Sequence, residues 1–225
     1  MLKIKNTIYM FAKEVYVRRR NMLKTKVDSG ILLFLGTGEA AVNYAGNAYR
    51  YRQDSTFIYY FGLTDPDLAA VIDLESGEEI IFGNDVDIDD IIWMGPQPLV
   101  SDKAASVGVS KSLPLGELEK YVSKAHAQGR KVHFLPPYRY QNMIRLNQML
   151  GVPFDSMRKS ASEEFIKAVV SMRLIKEQCE IDEIDKACNI GYAMHYTAMK
   201  MARLGMVEQQ LVGVMEGIAI AEGLM

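Results

Sequence analysis

The spacing of apolar side chains changes character once along this chain, near Pro153. Before it, short apolar runs alternate with helical patterns. Residues 8–25 set Met10, Phe11, Val15, Met22 and Leu23 on one helical face. The run Ile31–Leu35, between Asp28-Ser29-Gly30 and Gly36, has the length of a strand buried on both faces. Gly46 and the Tyr-Arg alternation at 49–52 read as loop, and Thr56–Phe61 as a second strand. Leu68–Asp73 and Glu79–Phe82 read as a hairpin turning at Glu75-Ser76-Gly77, and Ile88–Met94 runs into the breaker Gly95-Pro96-Gln97-Pro98. Helical spacing returns at Leu115–Ala127, before Gly129, and Lys131–Leu135 is another short strand. Pro136-Pro137 then leads into a helix over Tyr138–Leu150 that Gly151 closes. Strands mixed with helices in this way predict a layered α/β domain.

After Pro153 there is no proline and no period-two segment. Ser162-Glu163-Glu164 opens one helix, a long one follows from about Lys176 to Leu204, and a third runs from about Val207 to Ala221. The long helix carries two apolar stripes, one through Ile181, Ile184, Cys188 and Tyr192, the other through Ala187, Ile190, Met194 and Met201. A helix apolar on two stripes needs cover on most of its circumference, which two or three helices do not supply. The expectation is the start of a second domain whose remainder lies elsewhere, with residues 162–225 held by contacts between chains.

Composition narrows the class. The 225 residues predict one to two domains, and 49% apolar with 24% charged residues excludes disordered, collagen-like and coiled-coil chains. Two cysteines cannot make a disulfide framework, which favours a reducing compartment. No apolar stretch reaches the roughly 20 residues of a bilayer crossing. Thr7–Ala12 meets Lys13 and Glu14 at once, so it is a poor secretory segment. A cytoplasmic protein with no membrane partner is expected. The net charge of −2 hides an asymmetry: residues 1–30 carry eight basic side chains against Glu14 and Asp28, whereas residues 61–100 carry ten acids and no Lys or Arg. Without a stacking platform or nucleic-acid motif, this reads as two solvated faces of one domain, and no nucleic acid is expected.

Candidate chemistry is sparse. Gly36-Thr37-Gly38-Glu39-Ala40-Ala41 follows a strand and fits the dinucleotide fingerprint, but Asn43, Gly46 and Asn47 interrupt the helix it should open, so a structural turn is favoured. Asp85-x-Asp87-x-Asp89 opens like a calcium loop but has Asp90 where glycine and Pro96 where glutamate belong, so its acids should line the wet face of a strand or turn. His126, His133 and His195 are scattered, and His195 on its stripe reads as a buried, satisfied side chain. Cys179 and Cys188, nine apart on a helix, turn about 900° and face opposite sides.

Several stretches together resemble aminopeptidase P (Xaa-Pro aminopeptidase) of the creatinase–prolidase, or pita-bread, metallopeptidases. Tyr16 to Leu23 is similar to the family's Tyr-x-x-Arg-Arg-x-x-Leu helix, and Tyr49 to Leu63 to its most recognisable segment. Trp93-Met94-Gly95-Pro96 is similar to a Trp-x-Gly piece, Met172 to Ile181 to the Arg-x-x-Lys-x-x-x-Glu-Ile opening of the catalytic domain, and Gly205 to Glu208 to its next turn. The resemblance implies a three-layer αβα N-terminal domain over 1–156 and the helical start of an incomplete pita-bread domain over 157–225. It implies a two-manganese hydrolase that releases an N-terminal residue preceding proline, acting on proline-containing peptides as a homo-oligomer, dimer or tetramer. The family's ligands, two aspartates, a histidine and two glutamates, lie beyond Met225, so no catalytic or metal residue is assigned. This chain is expected to hold no metal and to be inactive alone. Trp93 is the one candidate site residue, at an active-site rim or an oligomer contact. A prolidase-like dipeptidase fragment, a non-catalytic interaction module and a nucleotide-binding domain using Gly36–Ala41 remain open.

Overall fold

The basic helix is the first departure from expectation. In the computed structural model, which describes residues 11–223, helix α1 spans Lys13–Lys24. Residues 8–10 of the expected helix, and most of the run Thr7–Ala12, lie outside the described residues. Tyr16, Arg19, Arg20 and Leu23 form its buried face. Two of the arginines assigned to a solvated face are therefore core residues. Arg19 Nη1 donates to the Tyr59 carbonyl at 3.0 Å, and its guanidinium lies 3.9 Å from the Tyr59 ring centroid. Arg20 donates to Glu79 at 2.7 Å and to the carbonyls of Tyr60 and Val107, each at 2.9 Å. Burial lowers the pKa of the Arg20 guanidinium, and Glu79 works against that loss.

The remaining elements are β1 (Ile31–Leu35), β2 (Ala41–Tyr44), β3 (Asn47–Ala48), α2 (Ser55–Phe61), β4 (Ala69–Asp73), β5 (Glu79–Phe82), α3 (Ile88–Met94), α4 (Val100–Ser106), β6 (Lys111–Leu113), α5 (Glu117–Ala127), β7 (Val132–His133), α6 (Tyr140–Leu150), α7 (Glu163–Leu174), α8 (Gln178–Met201) and α9 (Glu208–Ala221). The main sheet has the order β6-β5-β4-β1-β7, and β2 pairs with β3 alone. β4 runs antiparallel to both β1 and β5, while β6 and β7 extend the sheet in parallel. Successive residues of β1 serve opposite faces, as a strand's two-residue period requires. Leu32 and Phe34 join a core with α1, α2, α4 and α7; Ile31 and Leu33 join one with α5 and α6. The architecture is the three-layer αβα sandwich.

Thr56–Phe61 is helical rather than extended. The Asp54 carboxylate accepts from the N–H groups of Thr56 and Phe57 at 2.8 and 2.9 Å, fixing the N-terminus of α2. Gly62 ends it at φ 66°, and a Cβ there would overlap the Tyr16 ring. Ile88–Met94 is also a helix, capped by Asp87, whose carboxylate accepts from the Asp90 N–H at 2.8 Å. The alternating acids thus cap helices: Asp85 accepts from the Val100 N–H at 2.6 Å, at the start of α4. The pairing of β2 with β3, helix α4 and strand β6 had no counterpart in the apolar pattern.

Helix α7 puts Phe165, Ala168, Val169 and Met172 into the core of the first domain. Its first turn is tied down by His133, whose Nε2 lies 2.9 Å from the Ser29 carbonyl and whose Nδ1 lies 2.6 Å from Ser162 Oγ. A carbonyl only accepts, so Nε2 carries the proton and the Ser162 hydroxyl donates to a neutral ring. Burial holds the pKa of His133 below its ordinary 6.5. The chain divides into compact units after Met172, later than the family-based boundary after 156. Phe165, Ala168, Val169 and Met172 of α7 thus find their cover within the chain. In the second unit α8 and α9 pack on each other and neither contains a buried residue. His195 is correspondingly exposed, not buried.

Removing Glu79 while Arg20 stays buried leaves a guanidinium without its counter-ion. Glu79→Ala should cost about 3–5 kcal/mol of unfolding free energy in urea titrations. Lys24→Ala, which removes the more exposed partner of Glu79 at 2.7 Å, should cost less than about 1 kcal/mol. Equal losses would show that the buried pair does not hold α1. For His133, lowering of the folded pKa means its contribution is complete above about pH 6.5 and lost as pH falls through the folded value. Between pH 7.5 and 5 the wild-type chain should lose more stability than His133→Gln, by at most about 1.4 kcal/mol per pH unit. Parallel pH profiles would contradict this.

Candidate functional site

Each residue singled out for chemistry has a definite place. Gly36-Thr37-Gly38 leads into strand β2, not into a helix, so no helix N-terminus stands ready for a pyrophosphate. The Gly36 N–H donates to the Leu68 carbonyl at 3.0 Å, and a Cβ on Gly38 would press on the Asp67 carboxylate, an anion that disfavours phosphate. The glycines serve a crossing of backbones, and the nucleotide-binding alternative falls. Cys179 and Cys188 are not joined in a disulfide; Cys179 is half-buried, its thiol donating to the Glu177 carboxylate at 3.6 Å, and Cys188 is exposed. Among the described residues no three His, Cys, Asp or Glu side chains come together as a metal site.

The segment 49–63 is a structural clasp. Thr37 N–H and Asp54 N–H both donate to Gln53 Oε1 at 2.8 Å, and Gln53 Nε2 donates to the Asp65 carbonyl at 2.7 Å. The Tyr51 hydroxyl lies 3.1 Å from the carbonyls of Thr37 and Asp65. Tyr138 donates to the second Asp54 oxygen at 2.9 Å. Its side chains thus bind the exits of β1 and β7 to the entrance of β4. Burial pushes the Tyr51 hydroxyl up to about 12, against its hydrogen bond to Thr37; burial and the Asp54 charge do the same to Tyr138.

The other perturbed groups are structural too. Burial alone would raise the Asp73 carboxyl, but Arg130, the Ser76 N–H and Tyr121 outweigh it and hold the group well below the usual carboxylate range. Arg130 grips Asp73 at 2.7 and 2.9 Å and also pairs with Glu75, joining the hairpin β4–β5 to the loop after α5. Tyr121 is pushed up to about 12 by burial and by Asp73. A cavity of about 50 Å³ between Leu35, Asp54, Pro137, Tyr138 and Asn142 has room for only a few waters.

What remains open to a partner is surface. Trp93 is 88% exposed at the end of α3, beside Ile88 and Ile92. Tyr44, Tyr49, Tyr138 and Tyr140 are exposed as well. Aromatic residues in two Tyr-Arg-Tyr runs were the available signal. No helix among the described residues is long and apolar enough to cross a membrane.

Known proteins match this frame. The profile of the family described as "Aminopeptidase P, N-terminal domain" matches residues 16–133. The Xaa-Pro aminopeptidase of Escherichia coli (strain K12) is 25% identical over 90% of this chain and 48% of its own length. A probable Xaa-Pro aminopeptidase of Paracoccidioides lutzii is 25% identical over 87% of this chain and 40% of its length. The chain thus spans about half the length, or less, of these relatives. The solved structure of zinc-substituted Escherichia coli aminopeptidase P in complex with product superposes with a TM-score of 0.78 at 23% identity. That superposition covers 95% of this chain and 50% of the other, and it shows the same fold. With more than half of its length matched by the family profile and its motifs accounted for in the fold, the chain belongs to the aminopeptidase P N-terminal domain family.

Proposed function

We infer that this chain is the N-terminal part of an Xaa-Pro aminopeptidase-like metallopeptidase. The observation that carries this reading is colinear similarity to an Xaa-Pro aminopeptidase over 90% of the chain but only 48% of the relative. In the proposal the whole enzyme hydrolyses proline-containing peptides, releasing the residue before proline. Two manganese ions bound by residues outside this chain supply a metal-activated water and stabilise developing charge. The chain itself contributes no ligand, and no step of the reaction is assigned to its residues. Its N-terminal domain, taken as 1–156, serves assembly and access of substrate, with Trp93 at an active-site rim or an oligomer contact. Residues 157–225 open the catalytic domain. The exposure of Ile181, Ile184, Tyr192 and Met199 on α8 supports a helix pair that awaits cover from further chain or from another copy. A cytoplasmic homo-oligomer remains part of the proposal.

Two measurements test it. After dialysis against manganese, elemental analysis of the purified chain should find well under one ion per chain, with no hydrolysis of an Xaa-Pro peptide. Stoichiometric manganese or peptide cleavage would overturn the division of labour. Sequencing the gene past codon 225 should reveal a continuing frame with two aspartates, a histidine and two glutamates. A stop codon there would instead favour a non-catalytic interaction protein.

A further inference from the structure

A hydroxyl and an imidazole meet at the first turn of α7. Ser162 Oγ lies 2.6 Å from His133 Nδ1, within the reach that a nucleophile and its base require. The ring is 0% exposed, and its Nε2–H donates to the Ser29 carbonyl at 2.9 Å. That bond leaves the Nδ1 lone pair toward the Ser162 hydroxyl. Gly30, at φ 99°, lets the loop close on the ring, since a Cβ there would overlap the Lys131 carbonyl and crowd His133. Serine, base and orienting group thus stand in the order of a hydrolytic triad, with a backbone carbonyl in place of the carboxylate. Capping of α7 does not account for the set, because a cap needs only the serine oxygen and no base behind it.

The serine is also within reach of a ligand. It lines an open cleft of about 620 Å³, a volume in the range of small-molecule sites, beside Lys131, Glu163, Glu164 and Lys167. These four charged side chains form two ion pairs, Lys131 with Glu164 at 3.1 Å and Lys167 with Glu163 at 2.6 Å. The cleft therefore offers a ligand no net charge, which suits a neutral one. Its remaining walls, Ser160 and Ala161, are small. In the same turn the Ile166 N–H donates to the Ser162 carbonyl and the Phe165 N–H to Ser162 Oγ. The N–H groups of Glu163 and Glu164 have no backbone partner among the described residues. Two amide donors next to the nucleophile supply what a developing oxyanion needs.

We propose that Ser162 and His133 form a metal-independent reactive centre of their own, which cleaves small neutral esters of short-chain acids through an acyl-serine. His133 Nδ1 takes the Ser162 proton as Oγ bonds to the ester carbonyl carbon, and the carbonyl π pair moves onto oxygen beside the α7 amides. Return of that pair breaks the ester carbon–oxygen bond. The proton on Nδ1 passes to the departing alkoxide, which leaves as an alcohol. Water then repeats the sequence on the acyl-serine, releasing the carboxylic acid and restoring both side chains. The Ser29 carbonyl brings no negative charge to the imidazolium, so turnover is slow. This activity goes beyond the peptidase reading and stands without it, since no step needs manganese or a residue outside the chain.

An uncharged alkyl fluorophosphonate is the direct probe, because it stalls at the first step: the serine oxygen bonds to phosphorus and fluoride leaves. With a chelator present, it should label the full 225-residue chain at a single residue, which peptide mass spectrometry maps to Ser162. The same chain unfolded in urea should take no label. Under the same conditions the chain should hydrolyse p-nitrophenyl acetate, and labelled chain should not. Ser162→Ala should abolish both reactions, and His133→Gln should slow labelling at least about a hundredfold. Because Ser162 also caps α7, either variant can fail to fold, and the mapped position in the unaltered chain then decides. Absence of label, label on another residue, or an undiminished rate in folded His133→Gln overturns the proposal.

Discussion

The fold depends on two arginines that a sequence normally keeps wet. Arg19 and Arg20 are 1% and 0% exposed, and what makes that tolerable is the set of acceptors around them. A helix leaves its last four carbonyls without intrahelical partners. Helix α2 ends at Phe61, and the Arg19 and Arg20 guanidinia take up the carbonyls of Tyr59 and Tyr60. Arg20 also takes the Val107 carbonyl, at the C-terminal cap of α4. One side chain of α1 thus closes two other helices and reaches the sheet through Glu79. Cationic groups are favourable at helix C-termini, and the charge on Glu79 compensates what burial takes away. Replacing such a residue by an apolar one of equal volume would leave buried carbonyls unsatisfied, so the arginine is held by geometry and not by charge alone.

This arrangement explains both what the sequence revealed and what it concealed. The buried run of β1, the hairpin β4–β5 and the helices α5 and α6 are legible because a single local pattern decides each: an apolar run, a turn between two strands, or an amphipathic face closed by glycine. Helix α2 was not, since Phe57, Tyr59, Tyr60 and Phe61 are side chains that strands also favour. Its helicity is decided by the Asp54 cap and by arginines some 40 residues away in sequence, and no local window contains those arginines. Equally, a row of Arg18, Arg19 and Arg20 carries no mark of which members are buried. The exposure of Trp93 follows from its place near the end of α3, a helix without a buried residue.

The family motifs turn out to be structural at nearly every position. Tyr16 closes over Gly62, a position at φ 66° where a side chain would collide with the ring. Gln53 satisfies three backbone groups at the exit of β1, and Asp54 caps α2 while accepting from Tyr138. Glu180 returns to the Glu177 N–H at 3.0 Å in a capping box at the start of α8. Such residues identify the fold because few alternatives satisfy the same buried donors and acceptors. They carry no chemistry of their own, which is why recognising the family and finding a reactive centre are separate matters in this chain.

The segregation of charge along the sequence has the same origin. The basic helix and the acidic stretch 61–100 are not two independent wet faces. Arg20 and Lys24 meet Glu79, Lys103 meets Asp65, and Arg130 meets Asp73 and Glu75. Acids clustered in sequence receive bases from elsewhere because the hairpin β4–β5 lies in the middle of the sheet, where helices from both faces converge on it. Pairing of this kind exhausts the acids at the hairpin and leaves those of α3 over. The residual charges are therefore not a random remainder of composition. The acids of α3 lie on a helix that leaves the sheet after β5, and there Asp87 and the nearby Asp85 serve as backbone caps instead of ion-pair partners.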